Sequence, residues 1–232
     1  MALGNFGIKE VADVRFYPAN ALKISNEGKL VWSEKTPAKD ETPAVFYSDA
    51  DKVLEFTTLK VSNLSITSET SDARGGKGNA KLLTWDHSRE GTLTLEDALL
   101  SLECLEALMG DGTGKGKNCV RITTDSFANN YCVVGTTFAK DQETGLDHLF
   151  TFFVPNAKVS TELNLEMTAD GDPTVFNMEL TILRAGKDDS TMVALLAADD
   201  KYIKGASETS IFDQVIPVAK KEEDEGQGDS NS

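Results

Sequence analysis

The clearest pattern in the chain is a regular alternation of apolar and polar residues near its C-terminal end. The alternation runs through Glu162–Met167 and again through Phe176–Ile182. A period of two residues predicts strands with one face in the core and one face in water. Between the two runs, Asp170–Pro173 has strong turn chemistry, since glycine permits positive φ and proline fixes the backbone that follows. The sequence therefore predicts an antiparallel hairpin here.

Shorter runs of the same kind predict strands through the rest of the chain. Two of these runs flank Lys140–Gly145, a glycine-containing loop of hairpin length. In another run the alternation changes phase between Val61 and Leu64, which predicts a β-bulge. The predicted strands are Val11–Tyr17, Val45–Tyr47, Leu59–Thr67, Lys81–Asp86, Thr92–Leu95, Val120–Thr124, Tyr131–Ala139, Asp147–Val154 and Met192–Ala197.

One stretch has the spacing of a helix. Thr94 suits the N-cap, and Asp97 three residues later completes a variant of the capping box. Gly110 suits the position just beyond the helix end, and we expect polar side chains such as Glu106 to face water. The apolar residues that recur at helical spacing are Leu95, Leu99, Leu102, Leu105 and Met109.

Many strands and one helix predict a mostly β fold, with two packed antiparallel sheets, as a sandwich or rolled barrel, and one flanking α-helix. We assign residues 1–219 to a single domain, with a long polar loop near 33–43 and a glycine-bearing loop at 72–79. Residues 220–232 contain no apolar side chain, which predicts a disordered acidic tail. Met1–Glu10 lacks the pattern of a signal peptide, so we expect no export.

The charge of the chain narrows the choice of partners. It has 23 basic and 38 acidic residues, a formal net charge of −15. Proteins that grip nucleic acid present basic patches, because binding depends on neutralising phosphates, and none is visible in this sequence. We therefore expect no specific binding of DNA or RNA, and a surface that repels polyanions.

Two motifs resemble catalytic or ligand sites, but structural roles explain their residues better. The glycine-rich stretch Gly110–Lys117 lacks the spacing of a phosphate-binding loop and follows a helix instead of a strand. Trp85–Ser88 gathers acid, base and nucleophile types, but adjacent residues on a strand point to opposite faces. We therefore expect no enzymatic activity, no catalytic, cofactor or metal residue, and no cofactor. The cysteines, which we expect to behave as small apolar residues, are Cys104, Cys119 and Cys132.

The glycine-bearing connection at Asp72–Asn79 has two interpretations. One is a solvated hairpin loop. The other is an arm that becomes ordered against a neighbouring subunit, whose carboxylates would meet the basic residues of the arm. The candidate subunit-contact residues in this second interpretation are Arg74, Gly75, Gly76, Lys77 and Gly78.

Two stretches of the sequence resemble a known family. The first is Asn79–Leu99 with the predicted helix up to Gly110, and the second is Glu162–Leu183. Both resemble tail tube and related virion structural proteins of bacteriophages in pattern, over about half of the chain, without an invariant motif. The long loop at Ser33–Thr42 and the acidic tail are not parts of that pattern.

The resemblance implies two packed sheets with a flanking helix, and homo-hexameric rings that stack into a tube. DNA would pass through this acidic conduit without specific binding, and the other partners would be phage tail proteins. The expected location is the virion tail, assembled in the host cytoplasm, with no membrane partner. Two alternatives stay open: a tail-terminus or baseplate-ring adaptor of the same fold, or a monomeric β-sandwich that binds a glycan or protein through its loops.

Overall fold

The structure is a computed structural model that describes residues 6–8, 13–33, 54–56, 58–77, 79–97, 102–110, 118–160 and 176–197. Several predictions fall elsewhere in the chain. The predicted strands Val45–Tyr47 and Glu162–Met167, the turn Asp170–Pro173, nearly all of the polar loop and the acidic tail lie outside the described residues.

The predicted fold class is confirmed: the described residues form eleven strands and one helix, and the strand pairs are antiparallel. The helix is α1 (Leu102–Met109). The strands are β1 (Phe6–Ile8), β2 (Asp13–Pro18), β3 (Leu22–Ile24), β4 (Leu30–Trp32), β5 (Leu54–Phe56), β6 (Leu59–Gly75), β7 (Ala80–Asp97), β8 (Asn130–Asp141), β9 (Asp147–Val159), β10 (Phe176–Leu183) and β11 (Ala194–Ala197).

Nine of these strands form one large sheet. Its main order is β5-β2-β8-β9-β10-β7-β6, with β1 paired to β8 and β11 paired to β9. The strands β3 and β4 form a separate two-stranded sheet. Within the described residues the sheets are open and do not close into a barrel, which favours the sandwich over the rolled barrel.

The central strands β8 and β9 are buried on both faces. On one face, Val133 and Val154 belong to the main core, against which α1 packs through Leu108. On the other face, Cys132 and Phe153 belong to a second core that the β3–β4 sheet covers. The large sheet therefore lies between a helix and a small sheet, so that its middle is dry on both sides.

The predicted start of the helix is wrong, although the helix itself exists. Thr94 and Asp97 lie in β7, where Leu95 is fully buried and pairs with Met178 on one side and Ser62 on the other. A strand partner on each side satisfies both the donors and the acceptors of this backbone, which outweighs a local capping signal. Tertiary pairing therefore decides the structure of this stretch.

Glu106 also departs from the expectation that it faces water. It is buried, and its Oε2 accepts a hydrogen bond of 3.3 Å from the backbone N–H of Arg121. The carboxylate thus ties the last turn of α1 to the segment that leads into β8. The predicted end of the helix is confirmed, since Gly110 N donates to the Glu106 carbonyl at 2.8 Å.

The structure corrects the strand predictions in two other places. Val120–Thr124 is irregular, because Thr123 and Ser126 bond each other through backbone and side chain, a turn motif that competes with strand pairing. The predicted strands Lys81–Asp86 and Thr92–Leu95 are parts of one long strand, β7. The bulge predicted between Val61 and Leu64 is wrong in position: the register with β7 runs unbroken from Val61 to Leu64, and the shift lies between Leu59 and Val61.

Candidate assembly surface

The strands β6 and β7 form a long ribbon of which only the base belongs to the core. They pair from Leu59 opposite Asp97 to Gly75 opposite Ala80. The next strand of the sheet, β10, pairs with β7 only from Gly91 to Asp97. From Gly91 towards the turn at 76–79, the ribbon is therefore two-stranded among the described residues, and most of its side chains are exposed.

The turn at the end of the ribbon is shorter than the predicted loop. Strand β6 continues to Gly75, so Arg74 and Gly75 are strand residues and only 76–79 connects the two strands. Gly76 adopts a φ of +76° and Asn79 one of +52°, and the Asn79 N–H donates to the Gly76 carbonyl at 3.2 Å. Lys77 is exposed in this turn, and Gly78 lies outside the described residues.

One face of the ribbon tip (Ser71–Trp85) is polar and paired within the chain. The Asp72 carboxylate accepts from Lys81 Nζ at 2.8 Å and from Thr84 Oγ1 at 2.8 Å, and Arg74 lies 3.6 Å from its other oxygen. The Lys81 hydrogen bond, followed by that of Thr84, holds the pKa of Asp72 below its usual value. The candidate residue Arg74 is thus oriented by a partner in its own chain.

The opposite face of the tip is apolar. Trp85 pairs with Ser71 and Leu83 with Ala73, which places both apolar side chains on the face opposite Asp72. The register shifts between Ala73 and Arg74, and the extra residue, Leu82, lies beside Gly75: a Cβ on Gly75 would be 3.2 Å from Leu82 Cδ1. We call this surface the apolar tip face; its apolar side chains are those of Ala73, Leu82, Leu83 and Trp85.

A chain of polar contacts crosses the ribbon below the tip. His87 Nδ1 lies 3.4 Å from Ser71 Oγ, and His87 Nε2 lies 3.3 Å from Glu69 Oε2, which also accepts from Ser88 Oγ at 2.8 Å. These residue types suit a nucleophile, base and acid, but they lie on an exposed ribbon, where cross-strand pairing accounts for them. The part of the chain that the structure describes contains no His/Cys/Asp/Glu cluster suited to a metal ion.

Next to the ribbon, the large sheet has a polar face. Strand β10 alternates strictly, with Phe176, Met178, Leu180 and Ile182 in the core and the residues between them exposed. Residues opposite each other in the register share a face. The polar face so defined contains Asn63 and Ser65 of β6, Thr92, Thr94 and Glu96 of β7, Asn177, Glu179 and Thr181 of β10, and Lys158 of β9.

The sequence analysis did not single out the apolar tip face. It singled out the glycines and basic residues of the turn, whereas Leu82, Leu83 and Trp85 were placed only within the predicted strand Lys81–Asp86. Alternation shows that two sides of a strand differ, but not whether another layer covers the apolar side. Leu83 and Trp85 are two residues apart, which indicates one apolar face of the strand. In the structure that face belongs to a part of the ribbon that has no third strand beside it among the described residues.

The fold and this surface define a class of protein. It is a mostly β protein with a long projecting ribbon. The described residues include no helix long and apolar enough to cross a membrane. The sequence profile of the YomU/Tube protein family matches residues 39–118 and 112–195, together more than half of the chain, so the chain belongs to this family. Membership of this tube family identifies the protein as a structural protein of the bacteriophage tail.

Comparison with solved structures gives a weak match to a chain of the 6-fold symmetrised cryo-EM structure of the anti-feeding prophage (AFP) baseplate. The match covers 84% of this chain and 97% of that chain, with 14% sequence identity and a TM-score of 0.41. A similarity this low assigns neither details of fold nor partners to the present chain. No curated protein matches the sequence significantly.

Proposed function

We propose that the protein is a self-assembling subunit of a phage tail tube, in which copies join edge to edge into rings and rings stack around a channel for DNA. The observation that supports this most directly is the outer edge of β6. Its 17 residues form the last strand of the large sheet and pair on one side only, with β7, in the described part of the chain.

An edge of this length is a template for pairing with another chain. Its backbone N–H and C=O groups on the outer side would gain partners from a neighbouring subunit, and a shared sheet would then continue from copy to copy. The opposite end of the large sheet is also a free edge among the described strands, the short β5. Two different edges on one subunit permit a head-to-tail contact, which closes into a ring if the rotation between copies allows it.

For the wall of the channel we propose the polar face of the large sheet. It presents hydroxyl, amide and carboxylate groups, with Glu96 and Glu179 as acidic residues and Lys158 as a basic one. Side chains of this kind remain hydrated and offer no basic patch for phosphates, so DNA would move past them without specific binding. The net charge of −15 acts in the same direction at longer range.

For the contact between rings we propose the end of the ribbon, with Arg74, Gly75, Gly76, Lys77 and Gly78 as contact residues. Lys77 is exposed at the outermost turn, where it is available to carboxylates of another subunit. Sixfold symmetry is likewise a proposal that rests on the resemblance to tail tube proteins, as are a location in the virion tail and assembly in the host cytoplasm.

Negative-stain electron microscopy of the purified protein over a series of concentrations tests this function. Hollow tubes or stacked rings are the expected result. Single rings that do not stack would favour the tail-terminus or baseplate-ring adaptor of the same fold. Monomers at every concentration, followed by clear hits in a glycan or protein binding screen, would refute the proposal in favour of the monomeric binding module.

A further inference from the structure

We propose that the groove between β3 and the β10–β11 connection binds an extended peptide of a different protein, which adds a strand to β3. We call it the β3 groove. It has a volume of about 480 Å³ and is lined by Leu22–Ile24 of β3, by Gly186, Asp189 and Thr191 of the connection, and by Phe153 of β9. The inference goes beyond the proposed function, because it assigns a site for a partner protein and does not depend on how copies of the chain assemble.

The backbone of β3 borders this groove. All three residues of the strand line it, although successive side chains of a strand point to opposite faces, so what they share towards the groove is the edge of the strand. Strand β4 pairs with one edge of β3, and no further strand pairs with β3 among the described residues. The groove therefore follows an unpaired strand edge, which is a template for another chain.

The hydrogen bonds between β3 and β4 indicate which backbone groups face outwards. Ser25 N donates to the Lys29 carbonyl at 2.8 Å, so these two residues form a hydrogen-bonded pair. Bonded and non-bonded pairs alternate in an antiparallel ladder, so Leu22 and Ile24 direct their N–H and C=O groups away from β4. The backbone of Leu22 hydrogen-bonds to the Cys132 thiol, which fixes β3 on the large sheet. Ile24 therefore offers one donor and one acceptor to an added strand.

The groove carries one charge of each sign. Lys23 is exposed on β3, and Asp189 is exposed on the connection. Asp189 Oδ1 accepts from the Thr191 backbone N–H at 2.9 Å, and hydrogen bonds from the side chain and backbone of Thr191 hold the pKa of Asp189 below its usual value. The carboxylate is therefore oriented and ionised at neutral pH. A peptide with a basic residue opposite Asp189 and an acidic residue opposite Lys23 has the complementary charges.

The β10–β11 connection forms an ordered wall with room beside it. Ala185 N donates to the Thr191 carbonyl at 2.9 Å, and Gly186 N donates to the Asp189 carbonyl at 3.0 Å, so this backbone is bonded to itself. A Cβ on Gly186 would meet no atom within 4 Å. The groove is thus open before a ligand arrives, which lowers the cost of binding.

These features favour a peptide over other ligands of a similar size. A volume of about 480 Å³ also suits a small molecule. A strand edge, however, recognises main-chain groups, and the alternate side chains of the added strand supply specificity. The edges proposed above for contacts between copies, β6 and β5, belong to the large sheet, whereas β3 belongs to the separate one. The proposed assembly therefore does not use the β3 groove.

A peptide array with matched variants tests the site. The probe is a set of acetylated and amidated random heptapeptides to which the full-length protein is applied, and fluorescence anisotropy then gives the Kd of the selected peptides. The test variants are Gly186→Leu, which places a side chain in the groove, and Asp189→Asn, which removes its anion. The control variants are Gly7→Leu in β1, where a Cβ also meets no atom within 4 Å, and Asp188→Asn, which changes an exposed aspartate that does not line the groove. Circular dichroism verifies that each variant is folded.

We expect the selected peptides to contain a basic residue. Each test variant should weaken their binding about tenfold or more, and each control should change it less than about twofold. An array without a binder would overturn the inference. So would binding that both test variants leave unchanged, or binding that the controls weaken equally, because the peptides would then lie elsewhere on the protein.

Methylation of single peptide nitrogens tests the added strand directly. A peptide paired with β3 directs only alternate N–H groups towards that strand. N-methylation should therefore abolish binding at alternate positions of the bound segment and be tolerated at the positions between them. Equal tolerance at every position would refute strand addition to β3. These measurements do not require rings or tubes, so a failure of the proposed function and a failure of this inference are distinguishable.

Discussion

A single glycine in the central strand β8 gives the sharpest test of the core. Gly135 lies directly opposite Phe152 on β9, in the main core. A Cβ at position 135 would overlap the Phe152 ring, with Cδ1 at 2.9 Å and the outer ring atoms closer still. Phe152 is buried within the main core cluster, so its ring is packed among other core side chains. The glycine is required by this close approach and not by its backbone angles.

The magnitude follows from two opposing effects. In a strand without such a neighbour, Gly→Ala stabilises by roughly 0.5–1 kcal/mol, because glycine loses more backbone entropy on folding. Overpacking a well-packed core typically costs about 1–3 kcal/mol and occasionally more. Because the overlap with the Phe152 ring favours the upper end of the overpacking cost, we expect Gly135→Ala to destabilise the fold by about 2 kcal/mol after the entropic gain, a sizeable fraction of the roughly 5–15 kcal/mol of a typical domain.

Urea unfolding of four proteins in a double-mutant cycle provides the measurement: the unmodified chain, Gly135→Ala, Phe152→Ala and the double variant. Phe152→Ala alone should cost about 3–5 kcal/mol through the cavity that it leaves. In its background the added methyl group meets no ring, so Gly135→Ala should be neutral or stabilising. The expected coupling is at least about 2 kcal/mol. Additive effects, or a stabilising Gly135→Ala in the unmodified chain, would refute the proposed packing.

Three further predictions concern the helix, the ribbon and the cysteines. Leu108→Ala should lower the free energy of unfolding by about 2–5 kcal/mol, seen as a lower urea midpoint, because Leu108 is fully buried where α1 contacts the main core. Because the pKa of Asp72 is lowered, its contacts with Lys81 and Thr84 are fully present above the ordinary aspartate pKa and are lost only as the pH falls through the lowered value. NMR titration of the Lys81 and Thr84 resonances would detect this loss. Resonances that change fully at the ordinary aspartate pKa would contradict the prediction. Iodoacetamide should alkylate the exposed Cys119 in the folded protein but not Cys132, whose burial raises the pKa of its thiol, and mass spectrometry before and after unfolding would reveal any exception.

The strands that the sequence predicted well are those whose two faces meet different environments. In Phe176–Leu183 every second residue is buried, so the alternation in the sequence is the alternation in the fold. The β8–β9 hairpin was also predictable, because Asp141 accepts backbone hydrogen bonds from Glu143 and Thr144 in the turn and Gly145 takes a positive φ. Local chemistry and pairing agree in both cases.

The predictions failed where local signals favoured a structure that long-range contacts replaced. Thr94 and Asp97 have capping chemistry, yet strands on both sides hold this stretch in β7. Similarly, the polar residues between Asp86 and Thr92 suggested a break between two strands. In the structure these polar residues belong to one continuous strand, whose pairing with β6 shifts register between Glu69 and Thr70. A register shift depends on both strands, so the pattern of residues along one strand does not reveal it.

The subunit-contact role of Arg74–Gly78 stays a prediction, but the structure changes the character of the segment that would carry it. The sequence indicated a flexible glycine-rich arm, and an arm of that kind would lose conformational entropy each time it bound a partner. In the structure the ribbon is already formed: sixteen register pairs join β6 and β7, and Lys81, Thr84 and Arg74 converge on Asp72 behind the apolar tip face. The polar face therefore holds the apolar face in position before any partner arrives. Pre-organisation of this kind lowers the cost of association, so a small group of apolar side chains can support a stable contact between copies. Because the ribbon beyond Gly91 has no third strand among the described residues, changes at its tip should affect assembly and leave the doubly buried core of β8 and β9 intact.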